Sequence, residues 1–415
     1  MFKNSTTEST KPRLIVTTVL MFLLFAVSAQ DGGFIYGKVT TFDGSYEGNL
    51  RWGKEEIYWT DFFNASKEDN DFIDQLSDRE REHLEDHYHV SRNGNWMVNV
   101  SINWEDSHLH QFVCQFGELK SIKPYRGDMV KIELQNGERF TLDGSGYNDV
   151  GTDIRIMDQE LGEVEIDWDR IEMIEFMETP KQLDEKFGDP LYGTVESDEG
   201  QFTGFIQWDH DERVTNDKLD GDTEDGDISV KFGKLQSIEK ISSSRSLITL
   251  KSGRELELRG SNDVNAENRG IIVTVEGLGR VDIPWEDFES VTFMAAPKSI
   301  VTYRDFKNQD KLSGTVTVTN GDVHKGEIAY DLDESMVLEI LHGKVYDTEY
   351  LIPFRNIASI APRNDEESIV TLKNGDELIL EESQDVTERN SGALVYSGGE
   401  PVYIPWKKIE KIDFE

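Results

Sequence analysis

Cysteine, basic residues and long apolar runs are all scarce in this chain, and each shortage excludes something. A single Cys114 among 415 residues rules out an intramolecular disulfide, a cysteine-built zinc site and an iron–sulfur cluster. Only 43 Lys and Arg stand against 82 Asp and Glu, for a formal net charge of −39. No nucleic-acid partner is expected, because phosphate binding needs clustered basic side chains. The apolar run over residues 14–27 is shorter than the roughly 20 residues that span a bilayer. Lys11 and Arg13 precede it and Val27-Ser28-Ala29 closes it, the three parts of a Sec signal peptide cleaved after Ala29. The mature chain is then expected without an integral membrane span, in a bacterial periplasm or secreted. There is no P-loop, no G-x-S-x-G elbow, no Rossmann fingerprint and no H-E-x-x-H string.

Internal repetition organises what is present. Three stretches open alike: Tyr36-Gly37-Lys38-Val39, Tyr192-Gly193-Thr194-Val195 and Ser313-Gly314-Thr315-Val316. Each runs on to a second glycine (Gly48, Gly204, Gly326) and an aromatic (Trp52, Trp208, Tyr330). Phe116, Phe232 and Phe354 then head matching segments, and Ile166-Asp-Trp168, Ile283-Pro-Trp285 and Ile404-Pro-Trp406 close them. The expected division is a signal peptide over 1–29 and repeats over 34–178, 190–294 and 311–415. Within the second repeat a further shift superposes Gly200 on Gly253 and Phe232 on Trp285, which predicts six tandem units of about 53 residues.

The unit is all-β. Ile132-Glu-Leu134-Gln-Asn136-Gly137-Glu-Arg-Phe140-Thr-Leu142 alternates apolar and polar residues around Asn-Gly, a hairpin pattern repeated around Ser252-Gly253 and Asn374-Gly375. A strand, a tight turn and a second short strand follow, as in Val281-Asp-Ile283-Pro-Trp285-Glu-Asp-Phe288-Glu-Ser-Val291. That order resembles the Sm-like, SH3-type small β-barrel, and the resemblance implies three repeats, each a pair of such barrels. It also implies RNA binding, which the charge contradicts. A six-bladed β-propeller is the alternative architecture, since a blade needs a similar length.

The first repeat carries an insertion, placed at about residues 59–110. Ser77-Asp-Arg-Glu80 reads as a capping box opening a short helix. His83 and His87 are four apart and share a helix face, and His108 and His110 share one side of a strand. Those four suit zinc or copper, the alternative being ordinary solvent-facing histidines. Trp59, Trp96 and Trp104 lie outside the repeat anchors and are candidates for an exposed aromatic contact surface.

Acid recurs after each anchoring aromatic, as Glu55-Glu56, Asp211-Glu212 and Asp333-Glu334. Asp211 and Glu212, with Asp220 and Asp222 of the acidic loop that follows, are candidate calcium ligands or simply solvated carboxylates. Asn148-Asp149-Val150, Asn262-Asp263-Val264 and Gln384-Asp385-Val386 form a third recurring element. There Asn262, Asp263 and Asn265 are turn formers or contacts for a polar ligand. Together these readings predict an exported, non-enzymatic binding or scaffolding protein with a protein or cell-envelope partner. A metal-binding protein is the alternative, and a hydrolase built on carboxylates the weakest third.

Overall fold

The computed structural model describes residues 31–67, 72–81, 84, 110–298 and 300–415. The expected signal peptide, with Ala29, lies outside them. Among the described residues the chain is all-β, with thirty strands and only short helical turns. No helix among them is long and apolar enough to cross a membrane.

The first ten strands are β1 (Tyr36–Thr41), β2 (Gly44–Trp52), β3 (Phe62–Lys67), β4 (His110–Gln115), β5 (Leu119–Pro124), β6 (Met129–Leu134), β7 (Arg139–Asp143), β8 (Ile154–Asp158), β9 (Gly162–Ile166) and β10 (Ile171–Phe176). They form one open antiparallel sheet in the order β4-β3-β7-β6-β5-β10-β1-β2-β8-β9. Alternation decides which side faces inward: in β6, Val130, Ile132 and Leu134 are buried while Lys131 is exposed.

The next ten are β11 (Tyr192–Ser197), β12 (Gly200–Trp208), β13 (Lys218–Thr223), β14 (Gly226–Lys231), β15 (Leu235–Ser242), β16 (Arg245–Leu250), β17 (Glu255–Arg259), β18 (Ile271–Val275), β19 (Gly279–Ile283) and β20 (Phe288–Phe293). The last ten are β21 (Ser313–Val318), β22 (Val323–Tyr330), β23 (Ile340–Val345), β24 (Thr348–Pro353), β25 (Ile357–Pro362), β26 (Glu367–Leu372), β27 (Glu377–Glu381), β28 (Ala393–Tyr396), β29 (Val402–Ile404) and β30 (Ile409–Phe414). Strand pairing within each of these tens follows that of the first ten. One extra ladder, β19 with β24, joins them into a sheet of twenty. We call each ten a unit.

Neither sheet closes into a barrel, and the pairing differs from the expected chain of independent small barrels. The opening hairpin β11–β12 pairs with β20 and β18, while β15 pairs with β16 and β20. Each opening hairpin thus joins the closing strands of its unit and not the strands that come next in sequence. Period-two alternation fixes which face of a strand is buried and leaves its neighbour open.

The repeated second glycine has a local cause. A Cβ at Gly48, Gly204 or Gly326 would overlap the carbonyl of Met157, Thr274 or Tyr396 on the adjacent strand. Beside it, Trp52 and Trp208 are fully buried and meet Trp168 and Trp285 edge-on, and Tyr330 meets Trp406 likewise.

The inserted segment is narrower than expected. Phe62–Lys67 pairs with His110–Gln115 in the places that β13 and β14 occupy in the second unit. These strands are framework, and the extra residues lie between them. Half of the predicted capping box is present: Ser77 N donates to Glu80 Oε2 at 2.8 Å. The Glu80 amide goes to the Ser77 carbonyl and not to its side chain, whose Oγ donates to Glu80 Oε2 at 2.6 Å. The segment packs on the third unit, where Leu76 and Leu84 meet Ala329, Leu332 and Leu394. At the corresponding sites the second unit carries Gln207, His210 and Ile272, with His210 paired to Asp282.

Candidate functional site

Each unit builds the same polar constellation beneath its anchoring aromatic. The chain leaves β2, β12 or β22, turns, and bridges back to an acid, pairing Trp52 with Glu56, Trp208 with Glu212 and Tyr330 with Glu334. The turns need left-handed backbone, met by Gly53 in the first unit, Asp209 and His210 in the second, and Asp331 and Leu332 in the third. Asp209 steadies its turn by accepting a 2.6 Å bond from the Arg269 amide. Trp52 Nε1 donates to the Asp149 carbonyl, Trp208 Nε1 to that of Asp263 and Tyr330 Oη to that of Asp385, at 2.8, 3.0 and 2.5 Å. The carboxylates of those three aspartates accept the backbone amides of Asn64, Asp220 and His342, at 2.6, 2.6 and 2.7 Å.

Packing a Glu against an Asp out of water forces protons onto the set. Burial first, then Asp263 and three further aspartates, pushes Glu212 up to about 9. Burial raises Asp263 to about 6 and Asp385 to about 7. Glu56 and Glu334 are driven upward for the same reason, with Asp149 next for Glu56, and Asp333 and Asp385 next for Glu334. The Oε2 atoms of Glu212 and Glu334 are buried without a hydrogen-bond partner, as suits neutral carboxyls.

A second recurring set fastens the units together. The carboxylates of Asp61, Asp217 and Glu339 each accept two successive backbone amides: Ile57 and Tyr58, Arg213 and Val214, Ser335 and Met336. Each also takes a cation from another unit. Arg51 reaches Asp217 at 2.8 Å while Arg213 reaches Asp61, a reciprocal pair between the first and second units. Lys67 reaches Glu339 at 2.6 Å and Asp333 at 2.8 Å, and Arg355 answers with Glu118, between the first and third. The sequence reading missed these carboxylates. Their signal was legible, since each stands five residues after Glu56, Glu212 or Glu334.

The predicted candidates separate accordingly. Trp59 is fully buried, with Nε1 2.9 Å from Thr179 Oγ1 and its ring centroid 4.6 Å from that of Tyr303, so it is no exposed contact. It holds the framework position filled by Thr215 and Val337 elsewhere: all three carbonyls accept an equivalent amide, from Gly117, Gly233 and Arg355. Trp96, Trp104, His83, His87 and His108 lie outside the described residues, and His110 begins β4. Asn262 donates to Asp209 and Asn265 Oδ1 accepts from Glu267 N at 2.7 Å; with Asp263 they build the turn. Asp211 meets Arg269 at 2.8 Å. Glu212 belongs to the Asp263 constellation, while Asp220 and Asp222 sit on β13, whose Asp220 amide goes to Asp263. Among the described residues no group of three or more His, Cys, Asp or Glu is arranged to hold a metal ion. Cys114 is buried in the first core, where burial raises its thiol well above the usual range.

A cleft of about 620 Å³ lies between the first and third units. Phe140, Leu142, Ile328 and Met336 give it apolar walls, Lys67 with Asp333 and Glu339 a charged floor, and Glu138, Arg139 and Lys311 a mixed rim. Comparison with family models, with curated proteins and with solved structures finds no match to this chain.

Proposed function

We propose that the chain is an exported, non-enzymatic β-repeat protein that binds or scaffolds a protein or cell-envelope partner in a bacterial periplasm or outside the cell. The observation that carries this reading is the fastening of three like-ordered units by charge pairs around a broad, mixed-polarity cleft. Such a body holds a large fixed surface, and its recurring buried acids serve backbone amides, which is structural work. In this reading the units are three tandem repeats, each a pair of Sm- or SH3-like halves that have exchanged their opening hairpins. The strand order on either side of the β5–β10 ladder supports it: β10-β1-β2-β8-β9 and β5-β6-β7-β3-β4 place corresponding strands alike. Export rests on residues 1–29.

The test is a photo-crosslinking residue at the cleft rim, at Glu138 or Lys311, in the full chain produced with its leader in a bacterial cell. Covalent adducts of defined mass in the envelope fraction support the reading. Export without any adduct from either position contradicts the binding role, and retention in the cytoplasm contradicts the location.

A further inference from the structure

The three units differ in what covers the hairpin of their third and fourth strands. In the third unit the outer edge of β24 is taken by β19, with Arg280 opposite Leu351, Val281 opposite Tyr350 and Asp282 opposite Glu349. In the first, Phe62 and Val113 pack in a dry patch against Ile340 and Leu351 of the third. The corresponding residues of the second unit are Lys218 and Ser229, both exposed. Among the described residues β14 pairs with β13 alone, and four of its six residues are exposed.

The backbone of β14 is aimed outward. Asp220 lies opposite Ser229, yet the Asp220 amide donates to the Asp263 carboxylate. That makes Asp220–Ser229 a non-hydrogen-bonded pair, so the N–H and C=O of Ser229 point away from β13. The alternation carries Asp227 and Lys231 with it. Those of Asp227 and Ser229 correspond to the groups of Glu349 and Leu351 that β19 occupies in the third unit.

We propose that the outer edge of β14 is a strand-addition site for an extended, basic peptide segment, bound antiparallel as β19 is on β24. The choice of occupant rests on charge: Asp220, Asp222, Glu224, Asp225 and Asp227 crowd the hairpin, while Lys231 Nζ is engaged by Asn216 at 3.1 Å. Lys or Arg at alternate positions of an added strand meets those carboxylates, and an acidic strand is repelled. A second copy fits poorly. Its β9 presents Glu163 and Glu165, and its β29 is three residues long and follows Pro401, which has no N–H to donate. The proposal rests on the binding reading above and names a partner class for it.

The test uses the full mature chain and a labelled peptide Leu-Gly-Arg-Val-Lys-Ile-Pro, the 278–284 sequence with Asp282→Lys. Saturable binding, read by fluorescence anisotropy, is expected with slowed amide exchange at Asp227 and Ser229. Ser229→Pro removes one outward donor and Asp227→Lys reverses one charge, so each is expected to weaken binding about tenfold. The same peptide with Glu at position 280 and the native Asp282 is expected not to bind. No binding, equal binding of the acidic peptide, or undiminished binding to Asp227→Lys overturns the proposal. Protection of the same amides in a concentration-dependent dimer without peptide also overturns it, assigning the edge to a second copy. Cleft adducts persisting in Asp227→Lys separate failure at this edge from failure of the binding reading.

Discussion

At the scale of single residues, the repeated buried acids make stability depend on pH in an unusual direction. Glu212 has an ordinary value of 4.5 and sits near 9 in the folded chain, chiefly through burial. A raised folded pKa means that the folded state holds its proton longer than the unfolded one. The resulting stability is fully present below about pH 4.5 and is lost as pH rises toward 9. Glu56 and Glu334 share the direction. Glu212→Gln keeps the shape and removes the titration. Its thermal midpoint is therefore expected to match the parent near pH 5 and exceed it near pH 9, by melting across that range. A constant difference at all pH values would show that Glu212 is ionised in the folded chain. Trp59 illustrates how a residue reading fails. The sequence places it in the insertion, away from the repeat anchors, and so on an exposed surface, yet Thr215 and Val337 hold the same backbone position and Trp59 fills extra core.

At the scale of elements, the described residues 72–81 and 84 of the inserted segment form a strap on β22 and β28 of the third unit. Leu76 and Leu84 bury against Ala329, Leu332 and Leu394, and Tyr396 Oη donates to Gln75 Oε1 at 2.9 Å. Leu76→Ala is expected to lower unfolding stability by about 2–3 kcal/mol, the low end for a buried leucine because the patch is small and can relax. Chemical denaturation checks this, and a change under about 0.5 kcal/mol would detach the strap from the fold. Much of the element layer was legible in sequence, because close packing dictates it. The second glycine is demanded by a neighbouring carbonyl, the anchoring aromatics by the core, and the Asn/Gln-Asp-Val turns by the capped amides of Asn64, Asp220 and His342. The margins of the insertion were not legible, since Phe62–Lys67 and His110–Gln115 lack strict alternation and are buried on both sides where they can be assessed. Nor was the pairing of the opening hairpin with the closing strands, because alternation carries no information about which strand lies alongside.

At the scale of the whole molecule, the units are bound into one body by three different joints. The second and third share a sheet, and the first and third share a dry patch and the Lys67 and Arg355 bridges. The first and second exchange Arg51–Asp217 for Arg213–Asp61, with Arg213 also 4.8 Å from the Tyr58 ring centroid. Arg213 is completely buried, so Arg213→Ala strips Asp61 of its cation and leaves it only the Ile57 and Tyr58 amides. A loss of about 3–5 kcal/mol is expected in denaturant unfolding, with Arg213→Met plus Asp61→Asn recovering a good part of it. A double-variant loss equal to the sum of the losses for Arg213→Met and Asp61→Asn alone would mean that the pair is not coupled. The acidity of the chain belongs at this scale too. Some carboxylates are locked in joints and turns, while the β13–β14 hairpin keeps its own in water.

The pairing of each opening hairpin with the closing strands is what makes ten strands one unit, and a cross-strand disulfide reads it directly. Glu196 on β11 lies opposite Ser290 on β20, and Ser290 lies opposite Glu239 on β15, so Glu196 and Glu239 are two strands apart. In a Cys114→Ala background, Glu196→Cys with Ser290→Cys is expected to oxidise readily in the folded chain, while Glu196→Cys with Glu239→Cys is expected to remain reduced. Crosslinking of the second pair in place of the first would put β11 beside β15, as in separate local barrels, and would contradict the observed pairing of the opening hairpin with the closing strands.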